Sequence, residues 1–171
     1  MPVYSLSSHC CDVSLNTSLS TNSIQRINRL FMNDTLALRD ETPELLKLQN
    51  DNYTKLISIL EKEFGIILSV SDKLFSVQDP ANLQTLIDFH SNLSQTRLIC
   101  LEMLSSLLKS TGLAILTLHK WISVREALKM SRLEERYQTS LYGQIEEFHV
   151  FDEVSILMNS LAASTIWDLN D

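Results

Sequence analysis

The stretch that decides the fold is LICLEMLSSLLKSTGLAILTL, residues 98–118, which is the apolar peak of a longer region from Thr42 to Met130. After its opening Thr-Pro pair, this region of almost ninety residues is interrupted by only one proline and two glycines. Leucine and isoleucine recur in it at intervals of three and four residues, the spacing that places side chains on one face of a helix. The region therefore predicts long helices.

Short motifs mark where these helices begin. TPE at residues 42–44 and DP at residues 79–80 each place a side-chain oxygen that can cap free backbone amides directly before a proline. The fixed φ angle of proline suits the first turn of a helix, where its missing N–H is not needed. SRLE at residues 131–134 matches a capping box, in which serine and glutamate each accept a hydrogen bond from the other's backbone amide. We therefore expect helices to start at the first two points, whereas residues 131–134 either start another helix or continue the previous one.

Helical periodicity extends the prediction to nearly the whole chain. The predicted helices are a short one from residue 23 to about 39 and three long ones over residues 43–77, 81–130 and 133–161. We expect Gly65 to be tolerated inside the second of these four helices and Gly112 to bend the third. The predicted fold class is all-α: an elongated antiparallel bundle of three long helices plus a short N-terminal helix, with coiled-coil-like packing.

The chain divides into two parts by composition. Residues 1–22 are rich in serine and threonine, contain no lysine or arginine and show no sustained helical period. Such a segment lacks the apolar surface needed to pack, so we predict a flexible tail. Residues 23–171 are predicted to form the helical bundle domain, a length that suffices for one substantial core.

The charge pattern argues against binding to nucleic acid or insertion into a membrane. The formal net charge is −7, and the 14 lysines and arginines are scattered singly. Residues 98–118 have the length of a membrane span, but they contain Glu102 and Lys109. Each such charge near a bilayer centre costs about 2.5–3.5 kcal/mol, whereas a helix bundle tolerates it by pointing it outward. We expect the outward orientation for both.

No residue pattern indicates catalysis, a metal or a cofactor. The cluster HCCD at residues 9–12 lacks the gap between cysteines that zinc sites use. Neighbouring carboxylates such as Glu134 and Glu135 point about 100° apart on a helix, so they do not share a proton or a metal. The three glycines are isolated, which excludes a glycine-rich phosphate loop. We therefore expect a non-enzymatic protein without cofactors.

What remains is apolar surface along helices, which favours a protein that binds other proteins. We predict a structural subunit of a eukaryotic multiprotein assembly of the cytoskeletal, chromosome-associated or trafficking type. It would pack against other helical subunits in a hetero-oligomer. The residues predicted to form either the core seam or the partner-binding face are Leu98, Leu101, Leu104, Leu108, Ile115, Leu118 and Ile122.

The last eight residues, STIWDLND, support two hypotheses. In the first, Trp167 folds back onto the bundle and closes its end, because tryptophan supplies a large apolar contact area. In the second, Ile166, Trp167 and Leu169 anchor a short docking motif whose acidic residues meet a basic rim on a partner.

Two other functions compete with the structural subunit: a self-contained helical adaptor that captures an amphipathic peptide, and a secreted four-helix signalling protein. Three cysteines, two of them adjacent, do not form the even set typical of secreted domains, and no signal peptide is evident at the N-terminus. We therefore predict the cytoplasm or the nucleus.

Overall fold

The computed structural model describes residues 3, 5–8, 17–72, 78–143 and 146–170, with the side chains of residues 17–20 and 146–152 left aside. The helices are α1 (Thr17–Met32), a short 3-10 helix (Thr35–Ala37), α2 (Pro43–Phe64), α3 (Pro80–His90), α4 (Gln95–Leu108), α5 (Thr111–Leu118), α6 (Val124–Ser131), α7 (Leu133–Tyr142) and α8 (Glu146–Asp168). The described residues contain no β-strand, only an isolated backbone bridge between Leu38 and Ser71. The prediction of an all-α fold is confirmed.

The predicted bundle of three long helices is not confirmed, because the segment 81–130 runs as four helices. The backbone leaves the helix after His90 and restarts at Ser94, whose side chain accepts from the amide of Arg97. It breaks again at Lys109 and at Lys120, both of which have positive φ angles, 54° and 63°. The elements are therefore short and cross one another, which also removes the basis for coiled-coil-like packing.

Gly65 ends α2 instead of lying inside it. Its φ angle is 67°, and its amide and that of Ile66 donate to the last carbonyls of the helix, those of Glu61 and Leu60. A glycine in this left-handed conformation is a common helix terminator because it has no Cβ to clash. The helix predicted to reach Val77 thus stops at Phe64, and residues 65–72 continue without helical structure.

The boundary predicted near Ser131 exists, but the capping box lies elsewhere. α6 ends at Ser131, whose hydroxyl donates to the carbonyl of Leu128 and does not cap the next helix. The capping box occurs at the start of α6, where the Ser123 hydroxyl accepts from the Glu126 amide and the Glu126 carboxylate accepts from the Ser123 amide. Residues 123–126 also match the Ser-x-x-Glu pattern of a capping box.

The centre of the fold is α5, whose eight residues are all buried. A helix that is apolar around its whole circumference is stable only when other elements cover every side. α1, α2, α4, α6 and α8 all contact it. Gly112 lies here because a Cβ atom at this position would come within 2.8 Å of the Leu60 side chain and 2.9 Å of the Leu36 side chain. Its role is close packing, and the bend predicted at Gly112 falls just before it, at Lys109 and Ser110.

A buried aspartate fixes the junction between α4 and α5. Asp34 is fully buried, and its carboxylate accepts from the Ser110 hydroxyl at 2.6 Å, the Gly112 amide at 2.8 Å and the Leu36 amide at 3.0 Å. The Ser110 hydroxyl in turn accepts from the Leu113 amide as the N-cap of α5. Burial raises the pKa of Asp34, and the hydrogen bonds from Gly112 and Ser110 oppose that rise. One carboxylate thus joins the segment after α1 to the start of the central helix.

The N-terminal residues bear on the proposed division into a tail and a bundle. Residues 5–8 are helical and Leu6 is buried against the core, while α1 begins at Thr17, before the start expected at residue 22 or 23. The cluster at residues 9–12 lies outside the described residues. The division at residue 22 stays a prediction.

Candidate protein-binding surface

The residues predicted as a seam lie in the interior. Their exposure ranges from zero to 5%, except for Ile122, which is half-buried and packs against the same core. The six fully interior ones are Leu98, Leu101, Leu104, Leu108, Ile115 and Leu118. They belong to α4 and α5, which the other helices cover. That these residues contact a partner stays a prediction.

Glu102 differs from the outward orientation expected for it. It is buried between α4 and α1, where its carboxylate accepts from the Ser23 hydroxyl at 2.7 Å and pairs with the Arg26 guanidinium at 2.9 Å. Burial of a carboxylate is tolerated when it is paired and hydrogen-bonded, as here. The side chain of Lys109 is 70% exposed, so its expected orientation agrees with the structure.

The C-terminal residues continue α8 up to Asp168. Trp167 is buried, with the guanidinium of Arg97 4.9 Å from its ring centre and His119 5.3 Å away in an edge-on contact. Ile166 is also buried, whereas Leu169 is 78% exposed. This is the arrangement of the first hypothesis, in which Trp167 closes the end of the body. Of the three proposed docking anchors, Leu169 is the exposed one, and a docking role for this segment stays a prediction.

His119 sits in an aromatic cluster under this end of the body. Phe64, Phe89 and Trp167 surround its ring at centroid distances of 4.8 to 5.9 Å. Burial, with a smaller effect from Arg97, lowers the pKa of His119 and favours the neutral imidazole. No group of three or more potential metal ligands occurs in the part of the chain that the structure describes. Phe64, Phe89 and Trp167 pack in or against the core, whereas His119 lies at its solvent-exposed edge.

The outer face of α8 carries an apolar stripe. Val154, Met158 and Leu161 follow the i, i+4, i+7 spacing, and they are 53%, 52% and 46% exposed. Large apolar side chains at helical spacing usually face the core of a bundle. Instead, small residues face it, with Ser160 and Ala163 almost completely buried, because small side chains let α8 lie close to α4. The larger residues are left in solvent, where contiguous apolar surface marks an interaction site.

α7 adds grooves beside this stripe. It has no buried residue, and it lies between a mostly polar cavity of about 500 Å³ towards α6 and α8 and an apolar cavity of about 320 Å³ towards α2. Lys129, Arg136 and Ser140 line both cavities. At its C-terminal end, Leu141 and Tyr142 are 57% and 86% exposed. We call the exposed apolar residues of α7 and α8, together with the basic residues Lys129 and Arg136, the C-terminal surface; it is the candidate binding surface.

Most of this surface was not predicted from the sequence. Lys129 and Arg136 were counted as scattered charges, although they are seven residues apart and lie on the same ridge. They belong to different helices, α6 and α7, and the boundary at Arg132 separates them, so helical spacing alone gave no signal for this cluster. The stripe on α8 was visible as a pattern, but the side of the helix that it occupies depends on which residues pack inward.

The described residues form an all-helical body with its own core, an exposed apolar helix face and a basic ridge between two grooves, an arrangement typical of protein-binding modules. None of the described helices is both long and apolar enough to cross a bilayer. The comparisons with known proteins make this class more specific.

No protein-family model matches the chain. The curated protein named Protein atp12, mitochondrial, from Schizosaccharomyces pombe is 27% identical to it over 179 aligned positions, which include 97% of this chain and 60% of that protein. The chain therefore spans about 60% of the length of the curated relative that it matches.

Solved structures show the same fold. The crystal structure of Atp12 from Paracoccus denitrificans superposes with a TM-score of 0.89, at 22% identity, over 100% of this chain and 73% of that one. A candidate chaperone from Agrobacterium tumefaciens superposes with a TM-score of 0.84, at 18% identity, over 100% of this chain and 65% of that one. The helices described above thus form the fold found in Atp12 and in this second bacterial protein.

These findings overturn the predicted function. A likeness to Atp12 and to a candidate chaperone contradicts the structural subunit of a cytoskeletal, chromosomal or trafficking assembly, and with it the two alternatives, the peptide adaptor and the secreted signalling protein. The coiled-coil scaffold goes with them. Apolar helix faces alone do not indicate a permanent partner, because most of these faces meet inside one chain.

The predicted location is also wrong. The relative is a mitochondrial protein, which contradicts the cytoplasm or the nucleus. The prediction rested on the cysteine pattern and on the first residues of the chain. Neither of these separates the cytoplasm from another reducing compartment.

Proposed function

We propose that this chain is a mitochondrial assembly chaperone of the Atp12 type, a non-enzymatic protein that binds a client subunit before that subunit joins its complex. The observation that carries the proposal is the likeness over the entire chain: all of it superposes on Atp12 from Paracoccus denitrificans, and 97% of it aligns with the mitochondrial relative. The candidate chaperone from Agrobacterium tumefaciens, with the same fold, supports the same class.

We propose further that the client is a subunit of the mitochondrial ATP synthase, the alpha subunit of its F1 part. The C-terminal surface suits such a client. An unassembled subunit exposes apolar surface at its future interfaces. The stripe of Val154, Met158 and Leu161 can cover such a surface. A chaperone must also release its client, which favours exposed and partly polar contacts over a fully buried seam.

The binding test uses the purified chain and the isolated alpha subunit of F1, with the beta subunit for comparison. Size-exclusion chromatography should show a complex with the alpha subunit, and the chain should slow its aggregation on dilution from denaturant. Equal binding of both subunits would contradict the proposed client, and binding of neither would contradict a chaperone for F1.

The location is tested separately. A C-terminally tagged copy of the protein, expressed from its own locus, should fractionate with mitochondria and resist protease until the inner membrane is opened. Recovery in the cytosol or nucleus would contradict a mitochondrial chaperone.

A further inference from the structure

The ridge between the two grooves of α7 is basic although the protein as a whole is acidic. The net charge of the chain is −7, yet Lys129, Arg132 and Arg136 converge on one cavity, accompanied by Glu135 and Glu153. The α2-side groove shares Lys129 and Arg136 and has no acidic residue among the described residues of its lining, so it carries a net positive charge within a negative molecule. Such a local reversal selects partners by charge.

One acidic residue of this lining is engaged within the body. The Glu135 carboxylate lies 3.7 Å from the Lys109 ammonium and 3.9 Å from the Arg132 guanidinium. Glu134, the next residue, accepts from the side-chain amide of Gln49 at 2.8 Å. These contacts tether α7 to α4 and α2. Lys129 and Arg136, by contrast, are exposed and make no ion pair within the described residues.

The groove on the α2 side provides the apolar part of the surface. Leu48, Met130, Leu133 and Tyr137 line it, and Leu48 is 39% exposed. Its volume of about 320 Å³ is within the range of pockets that hold ligand groups. An occupant would thus place apolar side chains between α2 and α7 and carboxylates over the ridge.

We propose that this groove is the specificity-determining part of the binding surface, and that it takes a segment of the client in which apolar residues alternate with aspartate or glutamate. Lys129 and Arg136 pair with the carboxylates, and Leu48, Leu133 and Tyr137 contact the apolar side chains. This inference rests on the proposed function for the identity of the client. The chemistry of the segment follows from the groove itself.

The first experiment needs no client. Two synthetic peptides share the same leucines, and carry either glutamates or lysines at the positions between them. Fluorescence polarisation with the purified chain should show at least about tenfold tighter binding of the acidic peptide, decreasing with salt because exposed charges are screened. Equal affinities, or a preference for the lysine peptide, would overturn the inference whatever the client is.

The second experiment places the site. Lys129→Glu with Arg136→Glu should weaken binding of the acidic peptide at least about tenfold, because two attractive contacts become repulsive. Lys55→Glu with Lys62→Glu is the matched control: it makes the same change in net charge on exposed residues of α2 that line neither groove. A control variant that weakens binding as much as the ridge variant would show a general charge effect and overturn the assignment.

The same pair of variants separates this inference from the proposed function. If the wild-type chain binds the alpha subunit of F1 and the ridge variant binds it equally well, the groove is not the specificity site. If the wild-type chain binds the acidic peptide but no F1 subunit, the client is wrong and the groove stands. A photo-crosslinker in place of Tyr137 should then attach to a segment with the stated pattern, and attachment to a basic segment would contradict the inference.

Discussion

Replacing Asp34 with alanine tests whether one buried carboxylate holds the central helix in place. The change removes the acceptor for the Ser110 hydroxyl and for the amides of Gly112 and Leu36. Each buried donor left without a partner costs about 1–3 kcal/mol, so the upper limit is roughly 9 kcal/mol. Two effects reduce this cost: alanine does not bury a charge, and the Ser110 hydroxyl can rotate towards another acceptor. We therefore expect the free energy of unfolding to fall by about 3–4 kcal/mol.

The assays are urea unfolding and thermal unfolding, both followed by circular dichroism at neutral pH. In a protein of this length, each kcal/mol shifts the melting temperature by roughly 2–4 °C, so the melt should fall by about 6–16 °C. Asp72→Ala, which changes an exposed aspartate, is the control and should stay within about 0.5 kcal/mol of the wild type. A loss below about 1 kcal/mol for Asp34→Ala would refute the argument that this carboxylate anchors α5.

The pH dependence gives a second measurement on the same residue. Burial raises the pKa of Asp34 above its ordinary value of 3.8. A raised pKa in the folded state means that the contribution of this group is complete below 3.8 and is lost as the pH rises through the folded value. The stability of the wild type relative to Asp34→Asn should therefore decrease as the pH rises from about 4 towards neutrality. If the stability of the wild type relative to Asp34→Asn instead increased over this interval, burial would not be the dominant effect on the pKa of Asp34.

Three further predictions concern the core. Gly112→Ala should destabilise the protein by about 1–2 kcal/mol in urea unfolding, because crowding against two leucine side chains outweighs the gain in helix propensity of about 1 kcal/mol; an increase in stability would contradict the close packing. Trp167→Ala should cost about 3–5 kcal/mol while Leu169→Ala leaves the melt unchanged, since only the first is buried, and equal melting temperatures would place Trp167 outside the core. Burial and Arg97 lower the pKa of His119 in the folded state, so its contribution to stability is present above the ordinary pKa of 6.5 and is lost as the pH falls through the folded pKa. Acidification below 6.5 should therefore destabilise the wild type more than His119→Phe. Parallel plots of stability against pH for the two proteins would contradict this.

The sequence was sufficient for the fold class and for several helix starts, because capping residues and prolines act locally. The starts expected after Thr42 and Asp79 both occur, at Pro43 and Pro80. The breaks at Lys109 and Lys120 were not predictable in the same way. Lysine rarely adopts a positive φ angle, and it does so here because the packing around α5 determines where the chain must turn.

The candidate site was harder to predict because an apolar residue does not reveal which side of its helix is covered. In the part of α8 before Ser164, the inward positions belong to Ser160 and Ala163, and the outward ones to Val154 and Met158. Hydrophobicity alone gives the reverse assignment. The close approach of α8 to α4, which small side chains permit, is a property of the pair of helices and cannot be read from either one.

The central helix α5 and the helix α7 are stabilised in different ways, so their perturbations should separate. α5 is enclosed on all sides, whereas α7 has no buried residue and is tethered by polar contacts such as that between Gln49 and Glu134. Segments with few buried contacts open at lower free energy than the core. Core variants such as Asp34→Ala should therefore reduce the folded fraction without changing the affinity of each folded molecule. Ridge variants such as Arg136→Glu should change the affinity at an unchanged melting temperature. A ridge variant that lowered both together would mean that α7 belongs to the cooperative core, and a client could not then be bound and released without disturbing the whole fold.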